Sequence, residues 1–119
     1  MKRTLLIGAS ENPDRYSNKA IHALRKHGHE VIALARRPGK VLDVVFETEQ
    51  KKFAGIDTVT LYVGPDNQSG YFDYIIQLNP KRVIFNPGTE NPEFSEKLMH
   101  AGIYPEIACT LVLLGTGQF

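Results

Sequence analysis

A loop of small residues near the start of the chain has the residue types that can hold a phosphate group. Gly8, Ala9 and Ser10 end the first apolar run, and a predicted helix follows them. Glycine permits a tight turn, serine supplies a hydroxyl donor, and the first N–H groups of a helix attract anions. Arg15 adds a positive charge, and Ser17 could either cap the helix or donate to the phosphate. The sequence therefore predicts a phosphate loop, with a plain strand-to-helix turn as the alternative.

A pair of arginines narrows the class of ligand. Arg36 and Arg37 follow the second apolar run, where NAD-binding domains carry an acidic residue for the ribose hydroxyls. Guanidinium groups instead bind phosphate. Ser10 and Pro13 stand where the second and third glycines of GxGxxG would be. Both features favour NADP or coenzyme A over NAD, and two solvated surface charges are the alternative interpretation of the arginines.

Two further loops rich in glycine and proline follow the third and fourth apolar runs. Such residues let a backbone approach a ligand closely, so both loops are candidate walls of the same site. The residues concerned are Gly64 and Pro65 in the first loop, and Asn86, Pro87 and Gly88 in the second.

The sequence contains no pattern typical of metal binding or of catalysis. The four histidines do not have zinc-ligand spacing, and no nucleophile motif surrounds Ser10. Cys109 is the only cysteine, and its apolar neighbours favour a packing role over a reactive thiol. No metal site and no catalytic residue are assigned, which favours a binding protein over an enzyme.

The predicted elements alternate along the chain as in α/β proteins. The strands are Thr4–Ile7, Val31–Leu34, Thr58–Val63, Arg82–Phe85 and Ile103–Ile107, and the helices are Ser17–His27, Tyr71–Leu78 and Pro92–Ala101. Thr48–Phe53 is predicted as a short helix or turn, and Thr110–Leu114 as a helix or a sixth strand. The alternation predicts one doubly wound, Rossmann-like domain over residues 1–119, with a five-stranded parallel sheet of order 3-2-1-4-5. Ligands bind where the strand order reverses, which this order places between strands 1 and 4.

Bulk properties agree with an ordinary globular domain. The chain has 119 residues and a net charge of +1, and it shows no basic stripe for nucleic acid. A single cysteine fits a reducing compartment, and no apolar stretch approaches the length of a membrane span. We therefore expect a cytoplasmic protein with a small-molecule partner, and neither a nucleic-acid nor a membrane partner.

The opening third of the chain carries a family resemblance. It resembles the small CoA-binding domain proteins, single-domain relatives of the CoA-binding domain of succinyl-CoA synthetase, through the segment "GASENPDRYSNKAIHALRKHGHEVIAL". The layout and length are similar over nearly the whole chain. The resemblance implies a Rossmann-like fold and a phosphate role for Gly8, Ala9, Ser10, Arg15, Tyr16 and Ser17. It also implies wall roles for Val63-Gly64-Pro65 and Asn86-Pro87-Gly88. The chain departs from the family at Ala35-Arg36-Arg37-Pro38, where members typically have Val-Asn-Pro.

Three functions remain open from the sequence. The first is a non-catalytic protein that binds coenzyme A or a related nucleotide, as a sensor or carrier. The second is an NADP-dependent oxidoreductase subunit, which would need a partner chain for its substrate. The third is an interaction module without a ligand, in which the apolar tail Leu111–Phe119 covers a partner or a second copy in a homodimer.

Overall fold

A computed structural model describes residues 1–119, and it has a central parallel sheet of five strands. In chain order the strands are β1 (Thr4–Ile7), β2 (Val31–Leu34), β3 (Lys40–Val41), β4 (Val44–Val45), β5 (Thr58–Leu61), β6 (Arg82–Phe85) and β7 (Tyr104–Ile107). The helices are α1 (Tyr16–Lys26), α2 (Phe72–Leu78), α3 (Pro92–His100) and α4 (Thr110–Gly115). All predicted strands and all three firmly predicted helices are present, with ends shifted by two residues at most. The tail forms a helix, not a sixth strand.

The sheet has the order β2-β1-β5-β6-β7, and every neighbouring pair is parallel. The predicted α/β class and the five-stranded parallel sheet are therefore confirmed. One strand lies elsewhere than predicted, because β5 pairs directly with β1, Thr58 lying beside Thr4. Counted over the five main strands, the order is 2-1-3-4-5, not 3-2-1-4-5.

The outer edge of β2 explains this difference, because another segment occupies it. The short hairpin of β3 and β4, which the sequence analysis missed, leads into Glu47 beside that edge. The Glu47 N–H donates to the Ala33 carbonyl at 2.8 Å, and the Ala35 N–H donates to the Glu47 carbonyl at 2.9 Å. These bonds use the edge groups that a further strand would need. The segment 48–53 has a bend at Glu49 and no helix, so the helical alternative there was wrong.

Burial agrees with the observed strand positions. All four residues of β5 are buried, as a central strand requires, whereas Val31 and Ile32 of the edge strand β2 are half-buried. Consecutive residues of β1 serve opposite faces of the sheet. Leu5 and Ile7 belong to the core cluster under α2 and α3, while Leu6 belongs to the cluster under α1 and α4.

The end of the chain packs against the amino-terminal edge of the sheet. The Phe119 ring lies 4.8 Å from the His29 ring and 4.5 Å from the Arg82 guanidinium. The apolar tail thus makes contacts within its own chain. None of the helices has both the length and the apolar character needed to cross a bilayer.

Candidate functional site

The order in which the strands are added to the sheet reverses between β1 and β5, and a cleft of about 520 Å³ lies at that place. The chain leaves β1 for β2 on one side and later returns to β5 on the other, so loops diverge at the carboxyl ends of β1 and β5. The prediction also placed the site beside strand 1, but with the fourth main strand as its neighbour, whereas the neighbour is the third main strand, β5. Eight candidate residues line the cleft together: Gly8, Ala9, Ser10, Arg15, Arg36, Arg37, Val63 and Gly64.

Gly8 turns the chain sharply at the floor of the cleft. Its φ is +99°, and a Cβ atom there would lie 2.6 Å from the Tyr62 carbonyl oxygen. The N–H groups of Gly8 and Ala9 both donate to the Leu34 carbonyl, at 3.0 and 3.1 Å. Because the backbone approaches β5 this closely while it bonds to β2, no residue with a side chain fits the position.

The rest of this loop is shaped by its own side chains. The Ser10 hydroxyl accepts from the Asn12 N–H at 3.1 Å, and the Asn12 side chain accepts from the Asp14 N–H at 3.0 Å. The Asn18 amide donates to the Ser10 carbonyl at 3.0 Å. The N–H groups of Ser10 and Glu11 bond to no atom of the chain. The loop therefore presents two backbone donors and a hydroxyl proton to an anion.

Helix α1 begins beside this loop without a capping side chain. Arg15 is its N-cap residue, and the first turn contains no acidic residue. The free N–H groups of the first turn give this end a partial positive charge near the cleft. Ser17 is buried inside the first turn, so of its two predicted alternatives the N-cap role was wrong. Tyr16 is 68% exposed, and neither Tyr16 nor Ser17 lines the cleft.

The six arginines fall into two equal groups. Arg3, Arg25 and Arg82 each form an ion pair, with Glu30, Asp43 and Glu106 respectively. Arg15, Arg36 and Arg37 are exposed, and their side chains form no hydrogen bond or ion pair within the chain. All three line the cleft. One carboxylate shares the cleft with them, that of Glu11, and it accepts from the Lys40 N–H at 3.0 Å.

Apolar and aromatic side chains form the remaining wall. Phe46 and Tyr71 line the cleft, and the sequence analysis did not single them out as site residues. Phe46 directly follows β4 of the unpredicted hairpin. No pattern in the neighbouring sequence could therefore have predicted its place in the cleft. Tyr62 also lines the cleft, and burial raises its pKa to about 12. Its phenol is therefore neutral at physiological pH.

The loop after β6 does not reach the cleft, because β5 lies between β6 and β1. Asn86 is 2% exposed, and its amide donates to the Thr60 hydroxyl at 2.7 Å and to the Leu61 carbonyl at 2.8 Å. Its side-chain oxygen accepts from the Thr110 N–H at 2.9 Å. Pro87 and Gly88 are exposed, and neither lines the cleft. The structure thus places Asn86 in an internal network.

The remaining chemistry-bearing residues lie apart from the cleft. Cys109 is half-buried at the N-cap position of α4 and does not line it. No group of three or more histidine, cysteine or acidic side chains converges in a geometry that could hold a metal ion. The chemistry available in the cleft is therefore anion binding by arginines and backbone donors beside an aromatic wall.

Comparison with known proteins identifies the family. The sequence model of the CoA binding domain matches residues 2–115. A crystal structure of an uncharacterized protein is 50% identical, with a TM-score of 0.98 over 100% of this chain and 98% of the other. A hypothetical protein from Pyrococcus horikoshii OT3 is 28% identical, with a TM-score of 0.82 over 93% of this chain and 80% of the other.

A larger enzyme shares the fold at lower identity. The dinucleotide-forming acetyl-coenzyme A synthetase 1 of Ca. Korarchaeum cryptofilum, in complex with phosphate and ADP, is 15% identical with a TM-score of 0.70. The match covers 90% of this chain and 25% of that one, so it compares folds alone. No curated protein matches the sequence significantly. From the family match over nearly its whole length, the chain belongs to the CoA binding domain family.

Proposed function

We propose that this protein binds coenzyme A, or a closely related phosphorylated nucleotide, in the cleft at the carboxyl ends of β1, β2 and β5. The observation that carries the proposal is the gathering of Arg15, Arg36 and Arg37 around one cleft without an acidic partner for any of them. Three unpaired guanidinium groups on a chain of net charge +1 favour an anionic ligand there. Family membership supports coenzyme A as the first ligand to test.

The donor set of the cleft fits the two kinds of phosphate in coenzyme A. The free N–H groups of Ser10 and Glu11, the start of α1 and Arg15 suit a pyrophosphate. Arg36 and Arg37, on the loop after β2, suit the phosphate on the ribose. The aromatic wall offers apolar contact for the rest of the ligand.

The composition of the cleft supports binding without chemistry. Its lining contains no histidine, and its one carboxylate is bonded to a backbone N–H. Tyr62 holds its proton far above neutral pH. Tyr62 is therefore not poised to exchange a proton near pH 7. We therefore propose a sensor or carrier role, in the reducing compartment that the single cysteine predicts.

Calorimetry with matched ligands tests the proposal. Coenzyme A should bind more tightly than 3′-dephospho-coenzyme A, because only the former offers a ribose phosphate to Arg36 and Arg37. The double variant Arg36→Ala, Arg37→Ala should lose about tenfold or more in affinity for coenzyme A and much less for the dephospho form. The control Lys26→Ala, Lys97→Ala removes the same charge outside the cleft and should change neither affinity. Equal affinities for both ligands in the unmodified protein would contradict the assignment of the arginine pair.

NADP is the second candidate ligand, on one specific observation. Arg36 and Arg37 lie at the end of β2, where a 2′-phosphate of NADP would be received in a dinucleotide-binding domain. A thermal-shift series with coenzyme A, NADP, NAD and ADP separates the two, since a ligand at about one hundred times its Kd adds about 2.7 kcal/mol to the free energy of unfolding. A rise in the melting temperature with NADP and with none of the other ligands would overturn the coenzyme A proposal. No shift with any of them would favour an interaction module.

A further inference from the structure

We infer that Glu11 is a positioning residue that holds the two basic loops of the cleft at a fixed separation and so sets its preference for a ribose-phosphorylated ligand. This inference rests on the proposed function. Glu11 belongs to the loop after β1, which presents the free backbone donors. Arg36 and Arg37 belong to the loop after β2, which ends where β3 begins at Lys40.

One hydrogen bond joins the two loops across 29 positions of sequence. The Glu11 Oε2 atom accepts from the Lys40 N–H at 3.0 Å. This N–H takes no part in the pairing of β3 with β4, because bonded pairs alternate along an antiparallel hairpin and the neighbouring Gly39–Phe46 pair is a bonded one. The Gly39 carbonyl, on the preceding residue, accepts from the Phe46 N–H at 2.8 Å. The loop after β2, which carries Arg36 and Arg37 and is called the arginine loop, is therefore attached at Gly39 to the hairpin. At Lys40 it is attached to the loop after β1, which carries Gly8 to Glu11 and is called the phosphate loop.

Gly39 provides the room that this contact needs. A Cβ atom at Gly39 would lie 2.9 Å from both the Cγ and the Cδ atoms of Glu11. The Glu11 side chain therefore lies directly against the backbone of the arginine loop. This contact of its methylene and carboxyl carbons accompanies the hydrogen bond that its terminal oxygen accepts from Lys40.

The hydrogen-bond partner of the Glu11 carboxylate, a backbone N–H, supports a positioning role over a direct contact with the ligand. A carboxylate in this cleft would repel a phosphate, and three unpaired guanidinium groups lie in the same lining. Glu11 nevertheless bonds to a backbone N–H and forms no ion pair with Arg15, Arg36 or Arg37. This arrangement leaves all three arginines available for the ligand while one carboxylate fixes the loops.

Loss of this contact should act on the selectivity of the cleft. Without it, the arginine loop is free to move away from the phosphate loop. A ligand whose two phosphate groups contact one loop each can then no longer place both groups well at the same time. A ligand without the ribose phosphate uses only the phosphate loop and depends less on the separation.

Calorimetry of two Glu11 variants with coenzyme A and 3′-dephospho-coenzyme A tests the inference. Glu11→Ala removes the acceptor, and we expect the ratio of the two affinities to fall by about tenfold. Glu11→Gln keeps a side-chain oxygen acceptor of the same length, so the ratio should stay within about twofold of the unmodified protein. In the Arg36→Ala, Arg37→Ala background, Glu11→Ala should change the ratio no further, because the group it positions is gone.

Amide hydrogen exchange gives a readout that is independent of the ligand. In Glu11→Ala the Lys40 amide should exchange faster than in the unmodified protein, because its acceptor is gone. In Glu11→Gln the Lys40 amide should exchange at the unmodified rate. The amides of β1 and β5 are the control and should exchange at the unmodified rate in both variants.

The outcomes separate this inference from the proposed function. If the unmodified protein binds coenzyme A and Glu11→Ala keeps its ratio of affinities, the positioning role is wrong and the proposed function stands. If Glu11→Gln loses the ratio as Glu11→Ala does, the negative charge matters and the positioning role through this hydrogen bond is also wrong. If the unmodified protein binds no coenzyme A, the proposed function fails, and the inference fails with it.

Discussion

Gly8 shows how a single residue type can be required by backbone geometry alone. Its positive φ and the 2.6 Å approach of an added Cβ to the Tyr62 carbonyl are independent reasons for glycine. The contact is with the backbone of the residue that follows β5, which is held in place by a hydrogen bond from the Tyr62 N–H to the Ile7 carbonyl at 2.9 Å. The loop that presents the phosphate donors therefore depends on a residue that itself has no side chain to bind a ligand.

Replacing Gly8 by alanine should destabilise the protein strongly. The Gly8→Ala variant should lose about 2–4 kcal/mol of unfolding free energy, from backbone strain and from the clash with Tyr62. Urea unfolding followed by circular dichroism measures the change. Gly64→Ala is the matched control in the same cleft, because its φ is −61° and an added Cβ would meet nothing within 4 Å. Equal stabilities of the two variants would contradict the argument.

At the scale of elements, Asn86 joins three parts of the fold by side-chain hydrogen bonds. Its amide reaches Thr60 and Leu61 of β5, and its oxygen accepts from Thr110 at the start of α4. The Thr60 and Thr110 hydroxyls are themselves bonded at 2.8 Å. A buried and fully bonded amide of this kind stabilises the junction of elements, because the Leu61 carbonyl and the Thr110 N–H would lose their side-chain partner without it.

Removing this amide should change stability without changing ligand affinity. Asn86→Ala should cost about 2–4 kcal/mol of unfolding free energy, since it removes the side-chain partner of the Leu61 carbonyl and of the Thr110 N–H. Chemical denaturation checks the first part, and calorimetry with coenzyme A below the unfolding transition checks the second. Pro87→Ala, at the exposed neighbouring position, is the control and should be close to neutral. A large loss of affinity in folded Asn86→Ala would return this residue to the binding site.

The order of the elements was the part of the fold that sequence patterns could not decide. Apolar runs without alternation correctly predict strands covered on both faces. They do not say which strand is central, because every run is short and apolar. The decision rests on the segment after β2, where Glu47 takes the outer edge of that strand and β5 must pair elsewhere.

For the molecule as a whole, charge is distributed unevenly although its sum is small. The net charge is +1, yet three of the six arginines lack acidic partners and share one cleft. The other three form ion pairs outside that cleft. Three guanidinium groups against one carboxylate make the lining of this cleft positive, and such a cleft attracts an anionic ligand more strongly than the net charge suggests. The homodimer stays a prediction, as does the cytoplasmic compartment.

The pH dependence of global stability should show two perturbed phenols. Burial raises the pKa of both Tyr62 and Tyr74 to about 12, from an ordinary value of 10. The unfolded chain loses these protons first, so their stabilising contribution is complete below pH 10 and is lost as pH rises towards 12. Urea unfolding across this range should show a fall on the order of 1 kcal/mol.

Two single variants test whether Tyr62 and Tyr74 cause this alkaline fall in the free energy of unfolding. Tyr62→Phe and Tyr74→Phe should each make the decline shallower, and absorbance titration should show one late-titrating phenol fewer in each. Tyr16→Phe, at an exposed position, should leave the decline unchanged and serves as the control. A decline that is the same in all three variants would assign the alkaline instability to other groups.

The sequence by itself determined the local features of this protein. Glycine, serine and arginine types at short spacing predicted the loop after β1, and apolar runs predicted the strands, because both depend on neighbours in the chain. Only the tertiary structure decided which loops meet. Pairing between strands depends on long-range contacts, so the sequence could not bring Phe46 and Tyr71 into the cleft or separate Asn86 from it. The contact of Glu11 with Lys40 belongs to the same class, since it joins residues that only the folded sheet brings together.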